Sequence, residues 1–324
     1  MKVALDAMGG ENAPAAVVQG AIAAARQHDV KVVLVGQRSA IEAELAKNNY
    51  ELEIADASES IGLGENPREA LRNKRDSSIV VGLNLVKEGR ADAFVSAGNT
   101  GAIMAAASFI LKRIKGVERP ALGALVVFPW HSVLLLDVGA NADCKPIHLV
   151  QFAQMGNVYM KKLYGIDRPK IGLLSNGEED SKGNLLVRQS HELLKGAGLN
   201  FVGNVEGHDI PRNTADVIVT DGFTGNVVLK TGEGVGEMVV LSLREAITRQ
   251  PHIKLIGLLL KRTLRNALQS LDSAEHGGAP LLGVNGNVII AHGHSEGRAI
   301  MNAVFLARKA AEQGVVEAIK TVTS

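Results

Sequence analysis

The chain has 324 residues, 46% hydrophobic and 21% charged, which is enough apolar material for a full core and excludes intrinsic disorder. Lys and Arg total 35 against 34 Asp and Glu, a formal net charge of +1. That balance excludes a global field for holding a nucleic-acid backbone, and any basic patch must be local. The single cysteine, Cys144, excludes a disulfide framework and a thiolate zinc site and fits a reducing compartment.

Taken in chain order, the N-terminus meets a charge after three apolar residues, Val3-Ala4-Leu5 before Asp6. It reads as a first strand rather than a signal peptide. Further short apolar runs at 32–35, 52–54, 93–95, 171–174, 201–202, 217–219 and 288–290 read as strands buried on both faces. Helical spacing predicts helices over 13–28, 40–48, 100–113, 149–164 and 298–313. The stretch 121–136 imitates a membrane span, but Pro129, His131 and Ser132 interrupt it. Two strands joined by a turn, 121–127 and 133–138, fit better than a span of ~20 unbroken apolar residues. The alternation predicts a single α/β domain, a three-layer α/β/α sandwich with a mainly parallel sheet. No domain boundary is visible, and a helical segment around 237–271 is expected to protrude.

Five polar, glycine-containing clusters follow the apolar runs, at 6–10, 96–101, 137–141, 175–179 and 221–226. Strand exits of a parallel sheet share one edge, so the clusters are expected to line one cleft. The contributing residues are Asp6, Gly9, Gly10, Ser96, Gly98, Asn99, Thr100, Asn141, Asn176, Glu178, Asp221 and Thr224. Asn99 or Thr100 can cap the following helix and aim its free N–H groups at an anion such as phosphate. The same logic applies at Thr224-Gly225-Asn226, with Lys230 nearby. Lys182, beyond Glu178-Glu179-Asp180, is either a solvated surface pair or a cation that neutralises a developing oxyanion. Lys182 and Asn226 are the expected charge-stabilising catalytic pair.

Three motif lookalikes fail. Gly232-Glu233-Gly234-Val235-Gly236 is followed by Glu237 where a dinucleotide site needs its third glycine. No Gly-Lys-Ser/Thr follows a glycine loop. Gly293-His294-Ser295-Glu296-Gly297 spells a nucleophile elbow, yet the hydrolase order needs a histidine after the serine, and His294 is the last one. The pairs His292/His294 and His208-Asp209 lack ligand spacing. No metal and no cofactor are expected.

In this order the clusters resemble the phosphate acyltransferases of bacterial phospholipid synthesis. The resemblance rests on residues 4–10, 96–102, 136–141, 201–207, 216–232 and 277–283 and covers essentially the whole chain. Glu11, where Asp is usual, and His294, where smaller residues are usual, are the visible departures. The resemblance implies transfer of a fatty acyl group from acyl carrier protein to inorganic phosphate. It also implies a homodimer with a fold like that of isocitrate and isopropylmalate dehydrogenases. A membrane glycerol-3-phosphate acyltransferase downstream, and a cytoplasmic enzyme peripherally associated with the membrane, are implied too. A phosphotransacetylase-like enzyme on coenzyme A thioesters, and a non-catalytic phosphometabolite-binding protein, need the same cleft.

The segment 253–271 carries Ile256, Leu260, Leu264, Leu268 and Leu271 at helical spacing. Leu255, Leu258 and Leu259 extend the apolar surface, and Lys254, Lys261, Arg262 and Arg265 supply positive charge without negative. This pattern fits an interfacial helix on anionic lipid or a helix pair at a dimer interface.

Overall fold

The computed structural model describes residues 1–28, 30–249 and 277–323. Eleven strands occur among them: β1 (Lys2–Asp6), β2 (Lys31–Gly36), β3 (Glu53–Asp56), β4 (Ala93–Ser96), β5 (Ala121–Phe128), β6 (His131–Leu136), β7 (Ile171–Leu174), β8 (Phe201–Val205), β9 (Val217–Val219), β10 (Ala279–Leu282) and β11 (Asn287–Ile290). The helices are α1 (Ala15–His28), α2 (Arg38–Lys47), α3 (Pro67–Asn73), α4 (Ser78–Lys87), α5 (Thr100–Ile110), α6 (Pro146–Tyr164), α7 (Leu185–Lys195), α8 (Gly222–Arg249), α9 (Gly297–Glu312) and α10 (Val315–Thr323). A 3₁₀ turn covers Gly207–Arg212.

The strands form one sheet in the order β3-β2-β1-β4-β11-β10-β5-β6-β9-β7-β8. Its two faces are buried by different helices, as the two-residue period of a strand requires. Val3 and Leu5 of β1 pack with Val17 of α1, Phe152 of α6 and Ile300 of α9. Ala4, between them, packs in the other core with Leu83 of α4 and Ile103 of α5. The expected three-layer α/β/α sandwich is present.

Parallel pairs predominate, but β10 runs antiparallel to both β11 and β5, and β6 runs antiparallel to β5. The block β3-β2-β1-β4-β11 therefore points one way and the block β6-β9-β7-β8 the other. One shared edge for all five polar clusters does not follow, which corrects the sequence expectation. Three clusters, after β6, β7 and β9, leave one block together, and two, after β1 and β4, leave the other.

The span lookalike is the hairpin β5–β6, whose tip docks through Trp130 Nε1, donating to the Pro211 carbonyl at 2.7 Å. No helix among the described residues is long and apolar enough to cross a membrane. Helix α6 begins three residues before the expected start because Pro146 occupies its first turn, where a missing N–H and a fixed φ cost nothing. The glycine run 232–236 lies inside α8 rather than in a loop. Leu255, Leu258, Leu259 and the rest of 253–271 lie outside the described residues.

Candidate active site

The edge shared by β6, β9 and β7 is built on a buried carboxylate. Asp137, the residue after β6, is fully buried. Its Oδ1 accepts from the backbone N–H groups of Leu122, Gly139 and Ala140 at 3.0–3.1 Å. Its Oδ2 accepts from Asn141 N at 2.7 Å and Asn141 Nδ2 at 2.8 Å. Burial raises the carboxyl above its ordinary value, and these hydrogen bonds pull the other way without overcoming it. Asn141 Nδ2 also donates to the Pro120 carbonyl at 2.7 Å, and Asn141 O accepts from Gly222 N at 2.7 Å. The loop 137–141 and the start of α8 are thereby locked together.

Helix α8 starts under a cap. Asp221 Oδ1 accepts from Thr224 N and Oδ2 from Thr224 Oγ1, both at 2.8 Å, which satisfies free donors of the first turn. Gly225 then lies flat against β6, where a Cβ would overlap the Asp137 carbonyl oxygen. Asn226 follows on the exposed side, its amide carbon 4.0 Å from where a Gly139 Cβ would stand. Its side chain makes no hydrogen bond among the described residues. Lys230, one turn on, is paired with Glu233 at 2.7 Å.

The third loop leaves β7. Asn176 Oδ1 accepts from Gly183 N at 2.9 Å, Lys182 N donates to Glu179 O at 2.9 Å, and Asn184 Oδ1 caps α7 through Val187 N at 2.9 Å. Gly183 holds a φ of +92° with Val187 packed close, a conformation open to glycine and costly for other residues. A buried pair fastens the loop from below. His191 Nδ1 lies 2.9 Å from Asn204 Oδ1, and Asn204 Nδ2 donates to the Glu179 carbonyl at 2.8 Å. Neither residue was among the sequence candidates, although an asparagine in a strand is a visible oddity.

Lys182 was expected either to pair with its own acidic run or to stand free. Asp180 is taken by Lys195 at 2.6 Å, which holds its carboxyl below the ordinary range. Asp180 Oδ1 also lies 3.3 Å from His191 Nε2, without hydrogen-bond geometry. The exposed Lys182 ammonium has no ion pair among the described residues. Glu178 reaches instead toward His208 and Asp209, one ligand atom from each falling within 4.8 Å of the others. Asp209 already receives Glu206 N at 3.0 Å and faces Arg212 at 3.5 Å.

On the other block, Asp6 is also fully buried. Its Oδ2 accepts from Ser96 Oγ at 2.6 Å and its Oδ1 from Met8 N at 3.1 Å. Burial raises its carboxyl despite the Ser78, Ser96, Met8 and Gly9 donors. Ser96 Oγ accepts in turn from Gly98 N at 3.0 Å. A Cβ on Gly9 would stand 2.6 Å from Asp6 Oδ2, so the loops after β1 and β4 nest as glycine backbone. Gly10 continues this packing against Ala97 and Gly293. Asn99 caps α5 through Ala102 N at 3.0 Å, and its Nδ2 contacts the carbonyls of Gly62, Leu63 and Glu65 at 2.9–3.3 Å. Asn99 is a brace with both side-chain polar atoms committed. Thr100, at the first helical position, is exposed.

Cys144 was not a site candidate but lies against the first group, its Sγ 3.6 Å from Asn141 O. Burial, then the charges of Asp137 and Asp221, push its thiol up to about 12. That is the opposite of a poised nucleophile.

Solved structures share this architecture. A phosphotransacetylase from Streptococcus pyogenes superposes with a TM-score of 0.66 at 20% identity, over 96% of this chain and 94% of that one. A 4-hydroxythreonine-4-phosphate dehydrogenase from Klebsiella pneumoniae gives 0.56 at 13%, over 96% and 99%. These likenesses place the fold among the dehydrogenase-like α/β proteins and show the fold alone. Sequence goes further. The family described as "Fatty acid synthesis protein" matches residues 1–318. The phosphate acyltransferase of Geobacter sulfurreducens is 50% identical over 318 residues, 97% of this chain and 92% of that protein. The phosphate acyltransferase of Desulfitobacterium hafniense strain DCB-2 is 49% identical over 323 residues, 99% and 97%. The chain belongs to this fatty acid synthesis family and is an enzyme of the acyltransferase class.

Proposed function

We propose that the chain transfers a fatty acyl group from the thioester of acyl carrier protein to inorganic phosphate, releasing acyl phosphate. The observation that carries the reading is how the polar groups of the candidate site divide. Asp6, Ser96, Asn99, Asp137, Asn141, Asp221 and Thr224 are committed to holding loops, whereas the side chains of Lys182 and Asn226 have no polar partner among the described residues. Such a site offers donors and a cation but no activated side-chain nucleophile. Ser96 Oγ is buried in its contacts with Asp6 and Gly98, and the Cys144 thiol stays protonated. Phosphate itself is then the nucleophile.

A phosphate oxygen attacks the thioester carbonyl carbon. The C–O bond forms, the carbonyl electron pair moves to oxygen, and Lys182 and Asn226 stabilise that oxyanion. Collapse breaks the C–S bond, and the sulfur leaves with a proton from solvent or phosphate. Thr100, at the N-terminus of α5, is a second proposed anion contact. A sheet twisting by roughly 20–25° per strand turns β9 by about 130° relative to β1, six strands away. In this proposal the twist turns the exits of the two opposed blocks toward a common side. Asn176, Glu178, Gly98 and Lys230 remain in the proposal as loop and rim residues.

We also propose a homodimer, in which a second copy covers the exposed Met238, Val239 and Leu241 of α8. The basic, leucine-rich segment 253–271 supports peripheral contact with an anionic membrane through Leu255, Leu258 and Leu259. There the product would meet a membrane glycerol-3-phosphate acyltransferase. A cytoplasmic location belongs to the same proposal.

The test incubates purified protein with long-chain acyl-acyl-carrier-protein and phosphate, with no nucleotide, and measures acyl phosphate. Lys182→Ala and Asn226→Ala should each lower kcat by ~10²-fold or more with an unchanged circular dichroism spectrum. Turnover only with a coenzyme A thioester would overturn the proposal in favour of phosphotransacetylase-like chemistry, and unchanged rates would return Lys182 to solvent.

A further inference from the structure

The loop between α5 and β5 carries Lys112, Arg113, Lys115 and Arg119, all exposed, within eight residues. Charge runs of this kind are usually solvated and mobile, but this one is built. Ile114 and Val117, at 2% and 5% exposure, plug the core, and Ile114 N donates to the Gly283 carbonyl at 3.0 Å. Gln151 of α6 clamps the loop from both sides, accepting from Glu118 N at 2.9 Å and donating to Gly116 O at 2.8 Å. Asn285 Nδ2 bridges the carbonyls of Lys112 and Arg113 at 3.3 and 2.9 Å. The one acid in the loop, Glu118, turns to His148 at 3.1 Å. Lys112, Lys115 and Arg119 are left without an ion pair among the described residues.

The loop ends at the candidate site. Pro120, next to Arg119, presents its carbonyl to Asn141, and Arg119 is close enough to act electrostatically on Cys144. Beside these cations stands Phe109, the most exposed large hydrophobic residue described, at 85%. A run of cations on an anchored backbone, beginning three residues after one bare aromatic, matches an acidic protein surface that also carries an apolar spot. It does not match a free phosphate ion, which needs convergent donors, nor a lipid surface, which needs a broader apolar face.

We propose that the loop 112–119 with Phe109 is the docking surface for an acidic carrier protein, which delivers its thioester past Pro120 to Asn141 and Asn226. The inference rests on the proposed reaction and names the partner's landing place. Steady-state kinetics of the full-length enzyme with acyl-acyl-carrier-protein test it, using Lys112→Glu/Lys115→Glu and, separately, Phe109→Ser. The double reversal should raise KM for the carrier thioester at least tenfold with kcat within twofold, and flatten the salt dependence of KM between 50 and 300 mM NaCl. Phe109→Ser should raise KM without changing the salt slope. KM for phosphate should stay within twofold in both, which a general structural defect would not allow. An unchanged carrier KM in active variants overturns docking alone, whereas a wild-type enzyme that makes no acyl phosphate overturns the reaction beneath it. If the reversal abolishes sedimentation with anionic vesicles while leaving carrier KM untouched, the patch is a membrane contact and the proposal is wrong.

Discussion

Cys144 sits three residues beyond Asn141, half-buried, with two carboxylates close enough to oppose its ionisation. A thiol pushed up to about 12 is thiolate to about one part in 10⁴ at pH 8. Iodoacetamide should therefore label it roughly 10³-fold more slowly than free cysteine at that pH. The rate should climb steadily to beyond pH 10, a profile readable by mass spectrometry. Labelling that saturates near pH 8.5 would mean that the Asp137 cradle does not shield it. Sequence reading at this scale named polar positions but could not tell which of them are committed to bracing other loops. Whether Asn99 is free depends on carbonyls at residues 62, 63 and 65, and Asp6 is satisfied by serines at 78 and 96. Those partners are distant in the chain, and only folding brings them near. Lys182 is the reverse case, since of the acidic neighbours that advertised a pairing Asp180 is taken by Lys195 and Glu178 turns toward His208 and Asp209.

Helix α8 carries Asn226 on its second turn, so its cap is part of the site's geometry. Asp221→Ala should cost about 1 kcal/mol of stability in urea denaturation. It should lower kcat as well, because Thr224 loses both contacts and the first turn frays. Asp221→Asn keeps the acceptor for Thr224 N and should restore most of the stability; equal losses in both variants would rule out capping as the cause. The apolar strand runs survive in the structure as strands, within a few residues at their ends. Helix α7 was not read although it is strongly amphipathic, because Leu185 at 63% and Leu193 at 47% exposure blur its apolar face. Strand β10 was missed for another reason. It opens after two glycines with φ near +85° to +89° and contains Pro280, a residue that normally argues against a strand inside a sheet.

Across the whole molecule, the alternation of strands and helices was enough for the layers but not for strand direction. Parallel order can be inferred from helical crossovers, whereas the reversal is the net result of three antiparallel pairings in a row, β11–β10, β10–β5 and β5–β6. The first two join β10 to the sheet between β11 and β5, and β10 is far from β5 in sequence. At this scale the exposed apolar side of α8 predicts assembly. Met238→Glu should shift the protein from dimer toward monomer in analytical ultracentrifugation, with little change in the circular dichroism of the protomer. A monomeric wild type would refute the dimer outright. The reversal also has a mechanical meaning. The two oppositely directed blocks are stitched by a seam only two residues long, Leu122 against Leu281 and Ala121 against Leu282. One stitch is tied to the chemistry, since Leu122 N donates to Asp137 Oδ1 and Leu122 O accepts from Val138 N at 2.9 Å. The join between the blocks and the set of the Asp137 loop thus rest on the same residue, so a change at Leu122 is felt by both.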